Sequence, residues 1–196
     1  MTTTDEIAGV ILAGGESRRF GGPKALAHLA GQPLIAHVAG RLLPQVSVLA
    51  VAGASFGLEL PVLGDGAYAG RGPLAGVCAG LAWAEDEGAS MLVSAPCDVP
   101  LLPRNLVSLL VRVGTADLPA VLSVDGRTEA ACALWPISWR KRIERQLERR
   151  QNLSLMHALE GAQVLDVRAA VLEGSFANVN TPDDLARLKD EARPGP

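Results

Sequence analysis

The residues best placed to do chemistry stand near the start of the chain, where Ile7-Ala8-Gly9-Val10-Ile11-Leu12-Ala13 runs into Gly14-Gly15-Glu16-Ser17-Arg18-Arg19-Phe20-Gly21-Gly22-Pro23-Lys24. An apolar run that ends in a glycine-rich, basic loop can turn its backbone N–H groups toward phosphate oxygens, while Arg19 and Lys24 add positive charge. A polyphosphate ligand is the expectation. The loop is not a P-loop: Pro23 separates Gly22 from Lys24, and Ala25 stands where a magnesium-binding hydroxyl is required. It is not the dinucleotide fingerprint either, because two Gly-Gly pairs flank a charged segment in place of Gly-x-Gly-x-x-Gly. On composition alone, a flexible turn is the alternative.

A second candidate is Asp98 in Pro96-Cys97-Asp98-Val99-Pro100, which comes after another apolar run. Its carboxylate is a hard oxygen ligand suited to Mg²⁺, an ion that uses one or two carboxylates and completes its shell with phosphates and water. The local alternative is an aspartate that shapes the turn or caps a helix after Pro100.

These residues need a scaffold, and the rest of the chain alternates strand-like and helix-like segments. Short apolar runs at 7–13, 46–52, 91–95, 120–124 and 130–134, bounded by turn residues, read as buried strands. Helical spacing recurs at 34–43, 74–87, 106–113, 139–150, 153–159 and 183–190, with Pro33, Pro73 and Pro182 near the starts, where a missing N–H costs little. The order implies an α/β fold, a Rossmann-like three-layer sandwich with a mostly parallel central sheet. Ligands in such folds sit beyond the carboxyl ends of the strands, so Leu12-Ala13-Gly14-Gly15 and Asp98 are expected to converge. One domain over 7–190, with loose ends at 1–6 and 191–196, fits the pattern.

Four segments in this order resemble the nucleotidyltransferases, particularly the molybdenum cofactor guanylyltransferases. They are Leu12-Ala13-Gly14-Gly15 with Arg19, Gly21-Gly22 and Lys24; Gly72-Pro73-Leu74-Ala75-Gly76; Pro96-Cys97-Asp98; and Asn178-Val179-Asn180-Thr181-Pro182-Asp183-Asp184. The resemblance implies Mg²⁺-dependent transfer of GMP from GTP to molybdenum-bearing molybdopterin, with release of pyrophosphate. It implies nucleotide binding by Leu12, Ala13, Gly14, Gly15, Lys24, Asp65 and Asp98, and catalysis by Lys24, Asp98 and Arg19, with Asp98 as the magnesium ligand. Asn178 and Asn180 fall on the family's pterin-binding side. GTP and the pterin are the implied partners, together with cofactor-carrier or acceptor proteins. Two departures stand out: Val51-Ala52-Gly53-Ala54 lacks an asparagine expected to contact nucleotide, and Gly22-Pro23-Lys24 is shorter than the common Gly-Gly-x-Asp-Lys form. A related cytidylyltransferase, another small-substrate nucleotidyltransferase and a non-catalytic nucleotide-binding or cofactor-delivery module are the alternatives.

Composition narrows the classes further. With 196 residues, 48% hydrophobic, the chain is long enough to bury a substantial core. A net charge of −3 argues against a basic face for nucleic acid, and the Arg140 to Arg150 cations are interleaved with Glu144 and Glu148 as on an exposed helix. No apolar run approaches the roughly 20 residues that cross a bilayer, and the start lacks a signal-peptide core, so a cytoplasmic protein without a membrane partner is expected. Cys78, Cys97 and Cys132 are isolated, and His28, His37 and His157 lack metal-ligand spacing. Ser17 and Ser94 have no visible Ser-His-Asp arrangement.

Overall fold

A computed structural model describes residues 6–14 and 23–191. Among them nine strands and six α-helices alternate: β1 (Ile7–Leu12), β2 (His28–Leu29), β3 (Gln32–Pro33), α1 (Leu34–Leu42), β4 (Val48–Ala52), β5 (Val62–Leu63), α2 (Pro73–Asp86), β6 (Met91–Pro96), α3 (Leu106–Leu110), β7 (Ala120–Val124), β8 (Arg127–Pro136), α4 (Arg140–Arg149), α5 (Leu155–Ala158), β9 (Gln163–Val167) and α6 (Pro182–Glu191). Seven strands form one sheet in the order β5-β4-β1-β6-β8-β7-β9, while β2 and β3 pair separately. Only β8 runs antiparallel to its sheet neighbours.

The central strand β1 is buried throughout, as a parallel strand covered on both faces must be. Its side chains alternate between two cores. Ile7 and Ile11 join Ile35, Val38 and Leu42 of α1 and the apolar residues of α3, whereas Ala8, Val10 and Leu12 join α2, α4 and α5 on the other face. That division makes the three layers expected from the alternating pattern. Close approach seats α2: a Cβ on Gly76 would lie 3.0 Å from Leu12 Cδ2 and 3.1 Å from Ala52 Cβ, and one on Gly80 would meet Leu92 and Val10 at 2.9–3.2 Å. The first turns of α2 therefore rest directly on the carboxyl ends of β1 and β4.

Several elements differ from the sequence expectation. The strand expected at 130–134 extends over Arg127–Pro136. It pairs with β7 through Asp125-Gly126, two residues of positive φ that suit a tight hairpin turn. β9 and β5 were not anticipated. β9 is a sheet edge with partly or fully exposed residues throughout, so it carries no apolar run, and β5 is only two residues long. The helices expected at 106–113 and 153–159 are shorter, Leu106–Leu110 and Leu155–Ala158. No helix among the described residues is long and apolar enough to cross a membrane.

Candidate active site

The carboxyl ends of β1, β4 and β6 finish side by side, Leu12 being paired with Ala52 on one flank and Pro96 on the other. Two further bonds knit the strand ends together: the Ala13 N–H donates to the Ala52 carbonyl (2.9 Å) and the Cys97 N–H to the Leu12 carbonyl (3.2 Å). Just beyond them opens a cavity of about 950 Å³, whose walls include Leu12, Ala13, Gly14, Lys24, Asp65 and Asp98. It lies at the upper end of the usual size range of ligand sites. The signature strand and the Pro96-Cys97-Asp98 turn thus meet at one place, as their positions after strands led us to expect, and the loop after β5 joins them there. Gly15 and Arg19 lie outside the described residues.

Lys24 opens a short 3-10 turn after Pro23 and reaches across the cavity. Its Nζ donates to Asp98 Oδ2 at 2.5 Å and to Asn180 Oδ1 at 2.9 Å. The lysine and aspartate side chains retain only 18% and 17% of their exposure, so the pair is sheltered without being cut off from solvent. One ammonium touching two side-chain oxygens places those oxygens around a common point.

Asn180 arrives there because the segment carrying it is clamped from several sides. The Val179 N–H donates to the Asp98 carbonyl (2.9 Å), and the Val179 side chain is buried among Leu29, Leu34 and Leu188. Thr181 and Asp184 then form a reciprocal cap at the start of α6: Asp184 Oδ2 accepts from the Asn180 N–H (3.0 Å) and the Thr181 N–H (2.9 Å), and Thr181 Oγ1 accepts from the Asp184 N–H (3.2 Å). The Thr181 bond and these backbone donors hold the Asp184 carboxyl below the usual aspartate range. Asn178, by contrast, does not line the cavity. The two asparagines that the sequence grouped together are parted, Asn180 joining Lys24 and Asp98.

Asp65 enters from the β5 side and makes no capping bond to the adjoining turn. Burial pushes its carboxyl above the ordinary aspartate value. A half-buried acceptor left unused by local structure suits a polar substrate group. Cys97 also faces the cavity, but burial first, then the neighbouring Asp98 carboxylate, pushes its thiol up to about 11. It is a neutral thiol at physiological pH and a poor nucleophile. Ser94 is buried in β6, donates to the Ala131 carbonyl (3.0 Å) and accepts from the Trp135 indole (3.0 Å), which explains the hydroxyl as a tie between strands.

Gly53 lies directly against the Ala13–Gly14 segment. Its N–H donates to the Leu63 carbonyl (3.0 Å), its φ is +120°, and a Cβ there would stand 2.9 Å from the Ala13 oxygen and 3.2 Å from the Gly14 nitrogen. Glycine alone allows that approach. Within the Val51–Ala54 segment that lacks the expected asparagine, position 53 thus has no room for a side chain.

A divalent cation fits this donor set. Among the described residues no group of three or more His, Cys, Asp and Glu side chains gathers at one point. The Asp98 carboxylate and the Asn180 amide oxygen nevertheless face a common position, and both are hard oxygen donors of the kind that binds Mg²⁺ together with phosphates and water.

Residues 9–164 match the family model described as the MobA-like NTP transferase domain. The chain belongs to this family. Similarity to curated MobA-like relatives extends over nearly the whole length. The Rhodobacter capsulatus protein named molybdenum cofactor guanylyltransferase is 44% identical, with 95% of this chain and 97% of that protein aligned. A protein of the same name from Cereibacter sphaeroides is 42% identical over 94% of this chain and 96% of its own. The fold agrees with the crystal structure of molybdopterin-guanine dinucleotide biosynthesis protein A from Archaeoglobus fulgidus, with a TM-score of 0.73 at 23% identity over 94% of this chain and 97% of that one. As a MobA-like transferase, the chain is a nucleotidyltransferase.

Phe56 lines the cavity and was missed by sequence reasoning. The signal for Phe56 was a lone aromatic residue between Ser55 and Gly57 in the connection after β4. Asp184 stands in the first turn of the last helix, where its negative charge suits the helix start, and closes the Thr181-x-x-Asp184 cap.

Proposed function

We propose that this protein transfers GMP from GTP to molybdenum-bearing molybdopterin, forming the guanine dinucleotide cofactor and pyrophosphate, with Mg²⁺ as cofactor. The observation that carries the chemistry is the convergence of Lys24, Asp98 and Asn180 at the mouth of the signature strand. The near full-length similarity to guanylyltransferases supports the choice of substrates.

In this reading Lys24 gives up its bonds to Asp98 and Asn180 for oxygens of the triphosphate, and the Ala13–Gly14 backbone lines the nucleotide side. A phosphate oxygen of the pterin substrate attacks the α-phosphorus of GTP. The new P–O bond forms as the bond from the α-phosphorus to the bridging oxygen breaks, and the electron pair leaves with pyrophosphate. No protein nucleophile is needed, since positioning and charge stabilisation dominate such transfers. Asp98 and Asn180 would hold Mg²⁺, which supplies charge neutralisation on the phosphates. Asp65 accepts a hydrogen bond from the ribose or the base. The resemblance gives the segment of Asn178 and Asn180 to the pterin substrate, and Asn180 reaches the cavity beside Lys24.

A second reading is cytidylyl transfer, because the segment Val51-Ala52-Gly53-Ala54 lacks the asparagine expected to contact nucleotide and so gives guanine less support. Pyrophosphate release measured with GTP, CTP, ATP and UTP, each with the molybdenum-bearing pterin, separates the two. GTP alone is expected to react. Reaction of CTP alone establishes the second reading, and nucleotide binding without cleavage of any triphosphate makes the protein a binding module.

A further inference from the structure

The connection from β4 to β5 contains a tight turn, Ser55-Phe56-Gly57-Leu58, closed by the Leu58 N–H donating to the Ser55 carbonyl (3.0 Å). Both central residues have positive φ, +48° at Phe56 and +82° at Gly57. This is the type I′ pattern, in which asparagine, aspartate or glycine is the low-cost residue at the first central position. A phenylalanine there crowds its Cβ against the backbone, so the turn is strained where a cheaper residue would serve. Strain of this kind persists where the surroundings hold it, and it concentrates at binding sites. The Phe56 side chain packs against the core on the α1 face and also lines the cavity.

Strand order shows which end of the cavity Phe56 occupies. Ala52, Phe56 and Asp65 belong to the β4–β5 end, Ala131 and Leu155 to the β8 side, and Lys24, Asp98 and Asn180 lie between them. A nucleotide whose phosphates reach Lys24 and whose sugar and base extend toward Asp65 brings the base to the Phe56 wall. We propose that Phe56, its side chain packed against the core on the α1 face, stacks on the purine base of the bound nucleotide and sets the affinity for it. The inference rests on the transfer reading above for the identity of that nucleotide and for its placement between Lys24 and Asp65. Stacking suits this end of the cavity because Gly53 offers no side chain to hydrogen-bond a base edge. An aromatic face contributes affinity to any planar base and most to the larger purine surface.

Phe56→Leu keeps an apolar side chain of similar size and removes the π face, while Phe56→Trp keeps a face. The full-length proteins are titrated calorimetrically with GTP and, separately, with inorganic tripolyphosphate, which has no base. Phe56→Leu is expected to weaken GTP binding about tenfold, or ~1.4 kcal/mol, and to leave tripolyphosphate binding unchanged, with Phe56→Trp restoring GTP affinity. Melting curves confirm that the variants are folded. Equal losses for GTP and tripolyphosphate would overturn the proposal, since Phe56 would then merely support the loop. Unchanged GTP affinity in Phe56→Leu would also overturn it, with or without a raised KM for the pterin. Wild-type protein that binds GTP yet releases no pyrophosphate fails the transfer reading alone, whereas normal transfer by a Phe56→Leu variant with unaltered GTP affinity fails the stacking role alone.

Discussion

Replacing Gly53 by alanine adds one methyl group directly against the Ala13–Gly14 segment. The new Cβ would sit 2.9 Å from the Ala13 oxygen and 3.0 Å from its carbonyl carbon, against an ordinary contact distance of 3.4 Å or more. Both atoms are backbone, so no side chain can swing away, and the Ala13–Gly14 segment must shift by several tenths of an ångström. The residue must also hold φ near +120°, a conformation that side chains rarely adopt. Conformational strain of that type costs about 1–3 kcal/mol, which for a domain of this size lowers Tm by about 3–10 °C. Because Ala13 and Gly14 line the cavity, nucleotide binding should suffer beyond the loss of stability: GTP affinity falls about tenfold, and tripolyphosphate affinity falls with it, since the displaced backbone lies on the phosphate path. Gly53→Asn should behave no better because its Cβ meets the same atoms. The assay pairs thermal melting with calorimetric titration at a temperature where the variant is fully folded. Wild-type melting together with wild-type affinity would refute the close approach of Gly53 to the loop.

Lys24→Ala should lower both triphosphate affinity and turnover, the latter about 100-fold, because the ammonium contacts ground-state phosphates and the developing charge alike; steady-state kinetics in GTP tests this, and an unchanged rate would make Lys24 a surface cation. Asn180→Ala should reduce turnover about tenfold while Asn178→Ala changes it little, since only Asn180 reaches Lys24; equal effects in single-turnover assays would contradict the separation of the two. Asp65→Asn should raise Tm at neutral pH and weaken GTP binding. Its folded-state carboxyl is raised by burial, so ionisation opposes folding as pH climbs from the unfolded aspartate value of about 3.9 through the folded value. The stability gain should therefore vanish in melts at pH values below that window, and a gain independent of pH would count against burial as the cause.

Much of the positioning framework was legible because it depends on short-range signals. β1 and β6 are continuous apolar runs ending at a glycine-rich loop and at Pro96-Cys97-Asp98, so their meeting followed from parallel pairing alone. β8 could have been placed in full from Asp125-Gly126, a hairpin signal that apolar-run counting passes over. β9 gives no comparable signal, since its outer positions such as Gln163 and Asp166 face solvent at the sheet edge. Asn180 lies 156 positions from Lys24, and its approach depends on Val179 being buried between β2, α1 and α6 and on the Asp184 cap. Pairings of that kind come from tertiary packing, which local periodicity does not encode. Asn178, two residues earlier, carries the same side chain and misses the cavity.

The most direct test of the proposed reacting centre is pyrophosphate release from GTP and molybdenum-bearing molybdopterin, monitored across a Mg²⁺ titration for wild type and Asp98→Ala. Asp98 is a partly buried rim residue whose side chain pairs only with Lys24 among the described residues, so its removal should leave the fold intact by circular dichroism. Wild-type protein should release one pyrophosphate per dinucleotide formed in a Mg²⁺-dependent manner, and the variant should lose most turnover at every Mg²⁺ concentration. Wild-type rates for Asp98→Ala at low Mg²⁺ would contradict the placement of the metal and of the transfer chemistry at Lys24, Asp98 and Asn180.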